Sequence, residues 1–193
     1  MGYLTGLEEY LEGSYNKSIF EQVVYSREPW EYHLHGHRSI RARALENLTY
    51  ELKVHTEAQQ EQVLSKVEIK LLYPAHLDES VRPLIKMDKE VQKLELSPIL
   101  SPRQRYFVKN KSLFPLMKDR EVVFFTLIEG EIIRGIITDF SRYEITVSLK
   151  GESPITILRH SIYDLRSKKG RCFLKSFQED HRDWEKCSLF VSE

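Results

Sequence analysis

The chain has 193 residues, 41% hydrophobic and 30% charged, which is enough for one medium domain or two small ones and too little for a large multidomain enzyme. Its 29 basic and 29 acidic side chains cancel, so net charge by itself points to neither nucleic acid nor membrane. The cancellation hides a split: residues 1–100 hold 12 Lys/Arg against 16 Asp/Glu, a balance of −4, and residues 101–193 hold 17 against 13, a balance of +4.

Two short helices are predicted first. Thr5 precedes a Leu7, Tyr10, Leu11 face, and Ser18-Ile19-Phe20-Glu21 is a capping box ahead of Val23, Val24 and Tyr25. From Trp30 the period changes to strand. Residues 31–37 alternate, residues 40–45 and 50–54 continue with a turn at Glu46-Asn47, and residues 63–73 read as one further strand stopped by Pro74. A weaker strand is expected at 81–85, on an edge because of Pro83. Ser97-Pro98 and Ser101-Pro102 mark a linker, dividing the chain into domains 1–96 and 103–193. Residues 111–117 predict a short helix interrupted by Pro115. Strand signals follow at 121–128, 131–139, 143–149 and 155–160, with a short fifth at 161–165. The sequence Lys150-Gly151-Glu152-Ser153-Pro154 is a strong turn between them.

The longest apolar run, 122–128 with Thr126 allowed, is far short of the ~20 residues that span a bilayer. Acidic Glu8, Glu9 and Glu12 follow the start where a signal peptide has a basic front. Cys172 and Cys187 suit neither a disulfide framework nor a paired-thiolate zinc site. A cytoplasmic protein with no membrane partner is expected.

Residues 32–54 lie over 125–147 at a shift of 93 without a gap, with identities at Leu34/Leu127, Ile40/Ile133, Arg41/Arg134, Tyr50/Tyr143, Glu51/Glu144 and Val54/Val147. These predict an internal duplication. After Val54 the register is lost, so the first copy is expected to be degenerate.

In the second half, Gly130-Glu131-Ile132-Ile133-Arg134-Gly135-Ile136-Ile137-Thr138-Asp139-Phe140-Ser141-Arg142-Tyr143-Glu144-Ile145 is followed by Ile155-Thr156-Ile157-Leu158-Arg159-His160-Ser161-Ile162. Residues 112–167 resemble the Sm-like RNA-binding proteins, most closely the bacterial host-factor RNA chaperone type, Hfq. The match rests on the mid-strand glycine, the aromatic after the tight turn, and the basic-His-small-Ile step. Physical chemistry runs the same way. A short sheet that closes must bend where Gly135 permits it, and a single-stranded nucleotide needs a stacking face, donors and positive charge. The resemblance implies a base slot at Arg142 and Tyr143 and a pore-lining pair at Arg159 and His160. Three features depart from the family: Arg142 stands where a polar amide is usual, Leu158 replaces an aromatic, and the family's glutamine near the start of the domain has no counterpart. An arginine binds phosphate or stacks where an amide reads a base edge.

The basic run Arg166-Ser167-Lys168-Lys169-Gly170-Arg171, continued by Lys175, offers phosphate contacts at Lys168, Lys169 and Arg171. Phe173, Phe177 and Trp184 predict a partly amphipathic tail. His33, His35 and His37 alternate, a spacing that puts three imidazoles on one strand face and permits zinc, copper or nickel. No acidic or thiol partner is fixed by the sequence, and exposed strand histidines or adventitious metal binding are the expected reading, with no physiological metal. No Gly-rich phosphate loop or activated nucleophile motif is present, so neither enzyme nor cofactor is expected.

The predicted fold is therefore mainly β: two tandem Sm-like, SH3-like five-stranded barrels with short N-terminal helices, the first divergent and the second Hfq-type with a basic tail. The resemblance implies single-stranded RNA as partner, post-transcriptional regulation as role, and self-association into a ring, as a trimer of tandem barrels. The alternative is an Sm-fold protein-interaction scaffold that has lost RNA binding.

Overall fold

A computed structural model describes residues 4–106 and 108–174. Two helices come first, α1 (Leu7–Ser14) and α2 (Ile19–Ser26). Ser18 caps α2 by accepting from the Phe20 N–H, and Ile19, Phe20 and Val23 fall on its buried side, as a helical period of 3.6 residues requires. Five strands follow: β1 (Pro29–Leu34), β2 (Arg38–Asn47), β3 (Glu51–Thr56), β4 (Glu61–Ser65) and, after a 3-10 turn at Lys66–Glu68, β5 (Ile69–Pro74). The connection holds α3 (Asp78–Val81), β6 (Lys86–Met87) and α4 (Lys89–Gln92). The second set is α5 (Asn110–Lys118), β7 (Val122–Leu127), β8 (Glu131–Phe140), β9 (Glu144–Ser148), β10 (Pro154–Leu158), a 3-10 turn at Arg159–Ser161, and β11 (Ile162–Ser167).

All eleven strands join one antiparallel sheet in the order β11-β7-β8-β9-β10-β5-β1-β2-β3-β4, with β6 beside β8. The mainly β class is as predicted, whereas the two closed barrels are not: the sheet is open, and it runs from one strand set into the other. The link is β10 on β5, where Thr156 faces Leu72 and Ile157 faces Leu71. Unpaired backbone on two strand edges is satisfied by that junction.

Each strand of the second set begins 93 residues after its counterpart: Pro29/Val122, Arg38/Glu131, Glu51/Glu144, Glu61/Pro154 and Ile69/Ile162. Within both sets the order is fifth, first, second, third, fourth. The repeat extends to single backbone features. Left-handed Arg27 and Gln59 recur as Arg120 and Glu152. The bond from His35 N to Glu68 O recurs from Ile128 N to Ser161 O, and that from Lys66 N to Tyr50 O recurs from Arg159 N to Tyr143 O. A bulge at Ala44/Glu46 recurs at Ile137/Asp139. The register expected to fail after Val54 therefore continues to the end of both sets. It was hidden because residues 63–73 read as one strand. Lys66–Glu68 breaks that run with a 3-10 turn that contains neither Gly nor Pro. The edge strand expected at 81–85 is instead the end of α3 and a 3-10 turn at Arg82–Leu84, with Pro83 in its first turn, where a fixed φ and a missing N–H cost nothing.

Two main apolar clusters match the two strand sets. One gathers Phe20, Val23, Trp30, Tyr32, Leu52, Val54 and Leu72, the other Leu113, Phe125, Ile133, Phe140, Val147 and Leu165. Leu7 of α1 and Val81 of α3 belong to the second cluster. β3 alternates buried Leu52, Val54 and Thr56 with exposed Glu51 and Lys53, the pattern of a strand with one wet face. β7, reading Val-Val-Phe-Phe-Thr-Leu, is buried on both faces from Val123 onward. Among the described residues no helix is long and apolar enough to cross a membrane.

Candidate nucleic-acid interface and the seam between the repeats

The turn between β8 and β9 is closed by Ser141 N–H donating to Glu144 O at 2.9 Å, and it is fixed from outside by Arg142 N–H donating to Tyr15 O at 2.9 Å. It presents Tyr143, 59% exposed, with the Arg142 guanidinium 5.3 Å from the ring centroid. At the same place in the first set stands Tyr50, 80% exposed. Arg159 lies beneath this turn. Its N–H donates to Tyr143 O at 2.8 Å, and its guanidinium reaches Asn110 Oδ1 at 2.9 Å and Val108 O at 3.4 Å while lying 5.5 Å from the Phe140 centroid. Burial lowers its pKa to about 10, which leaves it charged near neutral pH.

His160 takes part in a different structure. Its Nε2 is 2.9 Å from Ile69 O, so Nε2 carries the proton and donates to the carbonyl. Burial first, then the Arg105 charge, lowers its pKa to about 4, and the ring is neutral at neutral pH. The neighbouring Ser161 hydroxyl lies 2.9 Å from Lys70 O and 2.7 Å from Leu158 O. Together these two side chains tie the start of β5 to the end of β10.

Lys168, Lys169 and Arg171 are exposed in the turn after β11. The six residues of β11 at ~3.3 Å each set them about 20 Å from the Arg159–Ser161 turn. The structure thus brings Arg142, Tyr143 and Arg159 together, places His160 in the seam, and leaves the basic cluster at the far end of a strand. Lys175, Phe177, Trp184 and Cys187 lie outside the described residues.

The three histidines do not share one face. β1 ends at Leu34, and Gly36 and His37 turn the chain with positive φ. His33 instead bonds Tyr73 Oη at 3.0 Å, and Tyr73 donates to Asp78 at 2.7 Å. His35 Nδ1 and His37 Nδ1 lie 3.5 and 3.9 Å from the Glu129 carboxylate. His37, Glu129 and Glu131 hold their potential ligand atoms within 4.8 Å of one another. The charge those carboxylates need is already present, because the Lys70 ammonium, 1% exposed, bonds both Glu129 and Glu131. Glu129 also accepts from Gly36 N–H at 2.6 Å and His37 N–H at 3.3 Å. Burial would raise its pKa, yet the bonds from His35, Lys70 and Gly36 hold it well below the usual carboxylate range. An open groove of about 670 Å³ lies over this cluster, lined by His35, His37, Glu129, Gln92, Lys93 and Leu96. The sequence carries one sign of the cluster: Lys70 stands inside the apolar run Ile69-Lys70-Leu71-Leu72, where a buried ammonium requires a carboxylate partner.

A second buried carboxylate joins the repeats. Glu144, 6% exposed, accepts the Ile19 N–H at the first residue of α2 at 2.5 Å. Its repeat counterpart Glu51 is exposed. Burial pushes the Glu144 pKa from 4.5 up to about 7. A folded-state value above the unfolded one means that stability is greatest below pH 4.5 and is lost as pH rises through about 7. Glu144→Gln removes this loss, so the stability of the variant relative to wild type should rise by up to about 3 kcal/mol between pH 5 and 8. Urea denaturation of both proteins across that range measures it, and a constant difference contradicts the assignment. Compared with known proteins, the chain matches no family model, no curated protein and no solved structure.

Proposed function

We propose that the chain is an Sm-like RNA-binding protein that takes single-stranded RNA in post-transcriptional regulation, with Tyr143 as the stacking surface, Arg142 as the cation beside its ring and Arg159 as a charge held beneath the turn. The observation that carries this reading is the exposed Tyr143 with Arg142 over its ring, answered at the equivalent turn by exposed Tyr50. Neither tyrosine belongs to an apolar cluster, so core packing does not account for an aromatic at this position in both repeats. An exposed ring stacks on any base, and a neighbouring arginine adds phosphate attraction. Lys168, Lys169 and Arg171, exposed beyond the end of β11, add positive charge to the same protein, and His160 enters by holding the seam.

Self-association follows from the repeat. Inside the chain, the fourth strand of one set pairs with the fifth of the other; the outermost strands of the sheet are β4 and β11, the same two members. Carrying the β10–β5 register over by 93 positions pairs Val63 with Leu165 and Leu64 with Asp164 of a second copy. Three such chains close a ring of six five-stranded units. In this contact Val67 and Glu68 stand where His160 and Ser161 stand, so the seam between copies lacks the two side-chain clasps of the internal one and is the weaker of the two.

The test is a titration of a fluorescent 20-nucleotide single strand, uridine- and adenine-rich, at two salt concentrations. Stacking contributes about 1–3 kcal/mol per base, so Tyr143→Ala should weaken binding by about tenfold or more while the salt dependence persists. Equal affinity of wild type and Tyr143→Ala overturns the assignment. One observation favours the second reading, a protein-interaction scaffold: Arg159 and His160 both bond protein atoms. That reading requires the absence of salt-dependent RNA binding altogether.

A further inference from the structure

We infer that residues 171–174 form a strap along the outer edge of β11 that competes with a second copy of this chain for the same backbone, so that assembly is restrained by the chain itself. The inference rests on the β4–β11 pairing proposed above. Gly170, with φ +80°, reverses the chain after β11, and its N–H donates to Ser167 O at 3.0 Å. The chain then returns antiparallel: Ser167 N–H donates to Arg171 O at 3.0 Å, Arg166 faces Cys172, and Phe173 N–H donates to Leu165 O at 3.0 Å. The Cys172 thiol reaches Asp164 Oδ1 at 3.3 Å, and Phe173 and Leu174 pack on the second core.

The position taken is the informative part. The counterpart of Leu165 in the first set is Leu72, which faces Thr156 of β10 across the internal seam. The strap therefore lies on β11 where β10 lies on β5. A strand edge covered by its own chain is protected from adding foreign strands. Among the described residues this cover makes two ladder bonds and half-buries Cys172, Phe173 and Leu174; the β10–β5 seam is likewise two residue pairs long, so a strand of matching register competes with the strap on near-equal terms. The occupant that matches is β4 of a second copy, which has one neighbour, β3, among the described strands and carries Val63, 54% exposed.

Sedimentation equilibrium of the full chain across micromolar concentrations tests this with three variants. Phe173→Pro removes the N–H that bonds Leu165. Leu174→Asp unseats the strap from the core and keeps the test open should the proline variant fail to fold. Val63→Asp places a charge on β4 where pairing would bury it, at a position exposed in the single chain. The expected result is that both strap variants self-associate at a concentration at least tenfold lower than wild type, and that adding Val63→Asp abolishes the gain. If the strap variants associate as wild type does while Val63→Asp still weakens association, the strap is overturned and the pairing stands. If every protein is a monomer throughout, the pairing fails and the strap with it.

Discussion

Lys70→Ala is expected to cost about 3–5 kcal/mol of folding free energy, the usual penalty for leaving a buried charge without its partner. The ammonium is the one lysine or arginine charge that bonds Glu129 and Glu131 among the described ion pairs, and the other partners of Glu129 there are His35 and His37. Glu131 Oε2 already has no hydrogen-bond partner, so removing Lys70 leaves a carboxylate buried on both oxygens. Glu129 is better served, since it keeps the Gly36 and His37 N–H donors. Because Lys70 lies on β5 and its partners begin β8 and precede it, the loss falls on the contact between repeats. Lys70→Met keeps most of the volume and should be nearly as damaging, whereas Lys70→Met with Glu131→Gln should recover a large part. The depressed pKa of Glu129 gives stability that is present above about 4.5 and lost as pH falls, so the gap between wild type and Lys70→Ala should narrow on going from pH 7 to pH 4. Urea denaturation at the two pH values reads both effects; a gap independent of pH would mean that packing, not charge, sets the cost.

Gly135→Ala should cost about 1–3 kcal/mol, the range for forcing an extra methyl into a packed interior. The new Cβ would stand 2.4 Å from Val147 Cγ1 and 2.5 Å from the Ser148 carbonyl oxygen, and the second of these is backbone that cannot swing aside. The repeat supplies an internal control. At the equivalent position of the first set is Ala42, fully buried, in β2, where a methyl is accommodated. Ala42→Gly should cost about 0.5–1 kcal/mol through strand entropy, and Gly135→Ala more. For a chain of this size each kcal/mol moves the melting temperature by about 2–4 °C, so thermal denaturation separates the two. Equal shifts would show that the β9 backbone yields at Ser148.

Gly135 also illustrates what residue patterns convey. The sequence marks it as the residue that lets a short strand bend, but its backbone is not left-handed, and its requirement is close approach to β9. The strand periods at 121–128 and 131–139 match β7 and β8 within a residue or two, because alternating and continuous apolar runs follow directly from which faces are buried. The break at Lys66–Glu68 has no such sign, since its turn is held by backbone bonds to Tyr50 and His35, residues distant in the chain. The same applies to the sites. An exposed aromatic beside an arginine is visible in Arg142-Tyr143 as letters. That Arg159 folds inward onto Asn110 and His160 onto Ile69 depends on neighbours that arrive from α5 and from the other repeat.

By itself the sequence determined a mainly β chain with two short leading helices, a 93-residue repeat visible in six identical pairs, and the pairing of a tyrosine and an arginine at one turn. These are local matters of period, capping and turn chemistry, set by residues within a few positions of one another. Tertiary structure alone decided that the two strand sets share one open sheet and that the repeat runs unbroken to its last strand. It also decided that Lys70, Glu129, Glu131, Glu144, His160 and Ser161 act as the fasteners between them. Each of those fasteners makes a bond across at least 59 positions, Lys70 to Glu129, Ser161 to Lys70 and Ile19 to Glu144 among them, and burial, not sequence proximity, is what makes such a charge or hydroxyl seek those partners.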